Sequence, residues 1–254
     1  MSTRSRERTR EMRAARAAEL ARERRRHRTF QVVGAVVIVG LLAGIAFAVA
    51  RSVTSDTGVE ATGKVVVPAN VEAGAFPVGD AKSPVTLDLY YDYMCPACGA
   101  FEAANSKDLS RLIADGTLRV NLRVLSFLDR MSQGTEYSTR AANAYATVAD
   151  RAPNKVWAFH TALYDNQPEE GTKGLSDDRI AEIATEAGVP AGVVDTFADG
   201  THRGWVAQST REASRAGVSS TPTVLINGKV FAGDWSRPGV LATAIEDAAA
   251  GSSR

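Results

Sequence analysis

Cysteine, histidine and aromatic residues are scarce in this chain: its 254 residues include two cysteines, three histidines and 7% aromatics. Two cysteines exclude a disulfide-dense scaffold and leave room for one bridge within the chain. A structural zinc site takes about four ligands. Beside the cysteine pair only His27, His160 and His202 are available, far apart in sequence, which argues against zinc. No internal repeat is present. Neither sign of charge dominates, the formal net charge being +1, but the charge is segregated.

Residues 1–29 carry eleven arginines against four glutamates, a net of about +7 that leaves the remainder at about −6. Residues 30–50 follow with no charge at all. At ~1.5 Å per residue such a helix spans ~30 Å, the thickness of a bilayer's hydrocarbon core. Basic flanks stay on the cytoplasmic side. The pattern therefore predicts a basic cytoplasmic tail over 1–29, a transmembrane signal anchor over 30–50 and an extracytoplasmic remainder, with the tail a topology signal rather than a nucleic-acid arm. Ala48-Val49-Ala50 resembles a signal-peptidase site, so cleavage stays open, although the apolar run exceeds the usual ~7–15 residues. Residues 51–63, rich in Ser, Thr, Gly and Asp, read as a flexible linker.

From residue 64 to about 250 the pattern is that of one α/β domain. Val85, Leu87, Leu89 and Tyr91 alternate with Thr86, Asp88 and Tyr90, as in a strand. A helix is expected from about Cys95 to Ala114, stopped by Gly116, and a second strand around Val120, Leu122 and Val124. This β–α–β order predicts a parallel pair. A helical block follows, about 132–216. Within it Val156, Phe159, His160 and Leu163 share a face, and Ser176 caps a helix with Ile180, Ile183, Ala184 and Ala187 on its buried stripe. Asn227-Gly228 then signals a hairpin. Pro238 suits the first turn of a last helix. His160 reads as a buried, hydrogen-bonded residue, His202 as a surface residue near a helix start, and Trp235 as packing at the start of the last helix.

The two cysteines stand as Cys95-Pro96-Ala97-Cys98 at a strand-to-helix junction. A thiol at a helix N-terminus meets unpaired N–H groups and the positive end of the dipole, which favour thiolate. Pro96 is tolerated in a first turn because its missing N–H would be unpaired there. Two intervening residues let Cys98 return to a mixed disulfide on Cys95, so Cys95 is the attacking thiol and Cys98 the resolving one. A purely structural bridge is the competing reading, but closing so short a loop removes little unfolded-state entropy. Tyr93 and Met94, next to Cys95, are expected to border a substrate groove.

Two runs carry a family resemblance. Residues 85–101 (VTLDLYYDYMCPACGAF) look like the active-site strand and helix start of DsbA-like thioredoxin-fold oxidoreductases. Residues 217–229 (GVSSTPTVLINGK) resemble that family's cis-proline loop and following hairpin. The resemblance implies a thioredoxin fold with a helical insertion. It implies a nucleophilic Cys95, a resolving Cys98, Pro96 and Ala97 as the dipeptide that tunes the redox potential, and Pro222 as a cis-proline. Thr221 would offer backbone hydrogen bonds to an extended substrate. No cofactor and no metal are implied. The implied activity is thiol–disulfide exchange on reduced or misoxidised exported proteins, as an oxidase reoxidised by a membrane partner resembling DsbB or VKOR-like proteins. A reductase or isomerase, for instance in cytochrome maturation, and a non-catalytic tethered binding module are the alternatives. The sequence departs from the pattern at Leu89, where many relatives carry a buried acid. Asp88 is one residue off, and Asp92 matches an aspartate common in the subfamily.

Overall fold

In a computed structural model of the chain, the structure describes residues 65–252. The expected tail, anchor and linker all lie outside the described residues. Among the described residues no helix is long and apolar enough to cross a membrane.

Five strands form one sheet in the order β1-β3-β2-β4-β5: β1 (Phe76–Val78), β2 (Val85–Tyr91), β3 (Leu118–Val124), β4 (Thr223–Ile226) and β5 (Lys229–Val230). β2 and β3 pair in parallel, with Leu89 opposite Leu122, and every other pairing is antiparallel. The alternation in β2 and β3 produces the layer arrangement directly. Val85, Leu87, Leu89, Tyr91, Leu118, Val120, Leu122 and Val124 are all fully buried. Asp88 is on the other face, half-buried, where it accepts from Asn121 Nδ2 at 3.2 Å and pairs with Arg123 at 3.4 Å.

The helix α1 (Pro96–Ala114) connects β2 to β3, and Gly116 with φ +79° turns the chain out of it. A left-handed residue just beyond a helix end favours glycine because no Cβ opposes it. Between β3 and β4 lie α2 (Tyr137–Arg151), α3 (Val156–Asp165), α4 (Asp177–Glu186), α5 (Ala191–Val194) and α6 (Arg203–Arg215), with short 3₁₀ turns among them. Ser176 Oγ caps α4 by accepting the Arg179 N–H at 3.1 Å; Ile180, Ile183 and Ala184 are buried as the stripe predicted, whereas Ala187 ends the helix as its C-cap and is only half-buried. At the hairpin, Asn227 and Gly228 have φ of +49° and +76°, the left-handed pair that a two-residue turn between twisted strands needs.

Three expectations need correction. The last helix, α7 (Val240–Ser252), starts after Pro238; Gly239, with φ +81°, interposes a non-helical residue. Trp235 accordingly lies in the preceding turn, its ring 5.9 Å from that of Phe101 and its carbonyl accepting Asn105 Nδ2 at 2.8 Å. His202 is buried rather than on the surface. Its N–H donates to Asn143 Oδ1 at 2.9 Å, and its Nδ1–H donates to the Val66 carbonyl at 3.0 Å. The segment that covers it is anchored by the Ala69 N–H on Asp150 Oδ1.

Candidate active site

Cys95 ends the extended stretch after β2. With φ −75° and ψ 116° it is the N-cap residue of α1, and Pro96 opens the helix. Its carbonyl accepts the Cys98 N–H at 3.0 Å and the Gly99 N–H at 3.2 Å, which closes the first turn and folds Cys98 back under it. Cys95 is 7% exposed and Cys98 fully buried, both as free thiols. Pro96 is exposed and Ala97 half-buried. Only the first sulfur is open to attack from outside.

The two thiols are driven apart in acidity. A hydrogen bond from Cys98 lowers the Cys95 pKa to about 6 against the opposing effect of burial, helped by the Thr221 side chain and the N–H groups of Cys98 and Ala97. Burial pushes Cys98 the other way, reinforced by its interaction with Cys95. The result is an exposed-side thiolate held by a proton on the inner sulfur, which is the polarity required for thiol–disulfide exchange.

The loop before β4 completes the site. The Thr221–Pro222 peptide bond is cis, and the Thr221 carbonyl lies 3.2 Å from Cys95 Sγ, placed to accept from it when Cys95 is protonated. Thr221 and Pro222 are thus brought together with Cys95 and Cys98 across more than a hundred residues of sequence. Tyr93 and Met94 are not groove residues. Both are buried, because the chain turns inward after Tyr91 and delivers them to the core, where Tyr93 Oη meets His160 Nδ1 at 3.0 Å.

Asp92 is a junction that the sequence reading left without a role. It is fully buried, and its carboxylate accepts from the N–H groups of Met94 and Leu128 and from the Ser138 hydroxyl, all within 2.9 Å. Burial outweighs these bonds and raises its pKa to about 7. Its backbone carbonyl accepts the Cys95 N–H at 3.0 Å and the Tyr164 hydroxyl at 3.1 Å.

Glu102 was missed altogether. It is one helical turn after Cys98 on α1, the i,i+4 spacing that places two side chains on one face, and it is 3% exposed. Its Oε1 accepts the Tyr91 hydroxyl at 2.5 Å and lies 3.1 Å from His160 Nε2. With Nε2 carrying the proton, Nδ1 is free to accept from Tyr93, and one continuous donor–acceptor chain results. Glu102 Oε2 has no hydrogen-bond partner among the described residues. His160 is buried and hydrogen-bonded, and it serves this carboxyl.

Among the described residues no cluster of three or more His, Cys, Asp or Glu side chains could hold a metal ion.

A family model described as thioredoxin matches residues 72–247. The chain is 31% identical over 155 residues to the serine/threonine-protein kinase PknE of Mycobacterium tuberculosis, covering 59% of this chain and 27% of the kinase, so it spans about a quarter of that relative's length. It is 26% identical to disulfide bond formation protein D of Bacillus subtilis, over 61% of this chain and 68% of that protein. Among solved structures, oxidised DsbA of M. tuberculosis superimposes with a TM-score of 0.60 at 31% identity, covering 69% of this chain and 92% of that one.

Proposed function

The chain belongs to the thioredoxin family, its folded unit being a thiol–disulfide oxidoreductase domain of the DsbA kind, and from that premise we propose that it works as a disulfide oxidase for exported proteins. The observation that carries this reading is the opposite displacement of the two thiols, Cys95 down to about 6 and Cys98 up. Stabilising the Cys95 thiolate stabilises the reduced form, and a couple whose reduced form is stabilised is the stronger oxidant.

In the forward reaction a substrate thiolate attacks Sγ of Cys95 in the Cys95–Cys98 disulfide. The S–S bond breaks and Cys98 leaves as thiolate, taking a proton. A second substrate thiolate then attacks the substrate sulfur of the mixed disulfide, forms the substrate disulfide and expels the Cys95 thiolate. Two electrons pass from substrate to the cysteine pair, and a membrane partner of the DsbB or VKOR-like kind withdraws them. Glu102, one turn from Cys98, exchanges the Cys98 proton. The cis Thr221–Pro222 segment receives the extended substrate beside Cys95. Residues 30–50 tether the domain outside the cytoplasmic membrane.

A reductase reading has one feature in its favour: Ala97 brings no hydrogen-bond donor of its own side chain to Cys95. Equilibration of the pair against glutathione separates the two. Known potentials run from ~−270 mV for thioredoxin to ~−120 mV for DsbA. The oxidase reading requires a value well above the thioredoxin end, together with oxidation of a reduced model substrate by the disulfide form. A thioredoxin-like potential would transfer the protein to the reducing branch.

A further inference from the structure

The helical insertion holds the cysteine turn at two points, both at the end of α3. The Tyr164 hydroxyl donates to the Asp92 carbonyl at 3.1 Å. Three residues on, the Gln167 side chain donates through Nε2 to the carbonyl of Tyr93 at 3.2 Å and to that of Cys95 at 2.8 Å. Gln167 is itself fixed at its backbone, its N–H donating to the Tyr164 carbonyl at 3.0 Å. The Cys95 carbonyl therefore receives three N–H groups, two from its own helix and one from the insertion.

Gly99 explains how the amide gets there. A Cβ on Gly99 would lie 2.0 Å from Gln167 Oε1 and 3.0 Å from its Cδ. Gly99 lies inside α1 without a positive φ, so the backbone does not call for glycine, and its helical position would favour alanine. What the missing side chain provides is a notch, and the Gln167 amide fills it.

We propose that Gln167 is a positioning residue for Cys95, seated in a notch that Gly99 leaves open, through which the insertion holds the reactive turn in place. The proposal rests on the exchange reading of the Cys95–Cys98 site. The physics has two parts. The N–H groups and the Cys98 and Thr221 side chains that hold the Cys95 thiolate do so only while the turn keeps its pose. A donor on the Cys95 carbonyl also offsets that oxygen's partial negative charge beside the sulfur, and so favours the thiolate. Gln167 touches neither substrate nor sulfur.

The test uses the full-length reduced protein and the pH at which Cys95 alkylation by iodoacetamide inflects, followed by peptide mass spectrometry. Gln167→Ala and Gln167→Glu each remove the donor, the second keeping the side chain's size. Gly99→Ala meets only the far end of a flexible side chain, so it evicts the amide while the helix persists. All three should move the inflection upward by about one pH unit, with melting temperatures showing that each variant folds. The Gly99→Ala, Gln167→Ala double variant should match Gln167→Ala alone, because the notch matters only while the amide fills it. Singles that inflect where the wild type does, or a double variant whose shift is the sum of the singles, would overturn the proposal. Substrate oxidation by the wild type is measured in parallel. Its failure would count against the exchange reading, whereas the alkylation profile reads Cys95 alone.

Discussion

The acidity of Cys95 depends on Cys98, and that dependence can be removed one atom at a time. Cys98→Ala deletes the largest contributor to the lowered Cys95 pKa, while Cys98→Ser leaves a hydroxyl in its place as donor. Either variant leaves a single thiol, so alkylation reports Cys95 directly. For the wild type, a pKa of about 6 against an ordinary ~8.5 makes Cys95 ~90% thiolate at pH 7 instead of ~3%. The free-energy advantage realised at that pH is ~1.4 kcal/mol, or ~30 mV in the potential of the pair. Thiolate nucleophilicity falls with pKa by a Brønsted slope of ~0.4–0.5, so plateau rates partly cancel the gain in thiolate. The inflection pH is therefore the quantity to compare. It should rise toward the ordinary thiol value in Cys98→Ala and stay nearer the wild type in Cys98→Ser. A wild-type inflection at or above ~8.5, the free-thiol value, would refute the account, as would identical inflections in all three proteins.

Stability should diverge between redox states as pH rises. The Cys95 pKa is depressed in the folded reduced protein, so its contribution is lost as pH falls through about 6 and grows from there to ~8.5; the disulfide form has no such term, and urea unfolding of both forms measures the difference. Asp92 acts in the opposite sense. Its folded pKa of about 7 lies above the unfolded ~3.9, so its contribution is fully present below pH ~4 and is lost as pH rises through 7, a span of ~4 kcal/mol. Asp92→Asn cannot accept from Leu128, so it should be less stable than the wild type at pH 4 by ~1–3 kcal/mol and lose that deficit by pH 8; an equal deficit at both pH values would contradict the assignment. Glu102→Gln keeps an acceptor for Tyr91 but removes the acid, and should slow proton-dependent exchange at Cys98 by ~10²-fold, general-base catalysis being worth at least that, with the Cys95 alkylation inflection unmoved. Stopped-flow exchange with a model disulfide checks this, and an unchanged rate would leave Glu102 a purely structural group.

What could be read from the sequence was what local rules determine. The alternation of Val85 to Tyr91, the Asn227-Gly228 turn and the Ser176 cap each depend on neighbours a few residues away, and each appears as expected. β1 went unread because three residues, one of them proline, are too few to show a period. The burial of His202 depends on Val66, far away in the chain, and no local pattern carries such a contact. Tyr93 and Met94 were misplaced by their nearness to Cys95 in sequence. Glu102 did leave a signal in its four-residue spacing from Cys98, but an acid on an amphipathic helix ordinarily faces water, and only the structure shows Tyr91 and His160 converging on it.

The absence of an acid at Leu89 follows from where Glu102 comes from. Leu89 is fully buried between Leu122 and Val224 of the adjoining strands, and a carboxyl there would need polar partners that these neighbours lack. Two residues along the same face, Tyr91 turns its hydroxyl to Glu102, so β2 supplies a hydrogen bond to the acid instead of the acid itself. The second donor, His160, comes from α3 of the insertion, whose end also delivers Gln167 to the Cys95 carbonyl. The proposed proton site thus draws on β2, α1 and α3 together. Removing the insertion would leave the Cys95–Cys98 turn and Glu102 in the sequence but strip the Cys95 carbonyl of its Gln167 donor and Glu102 of its His160 partner. On this account the insertion is part of the catalytic machinery, and a trimmed thioredoxin core made from this chain should exchange disulfides poorly even if it folds.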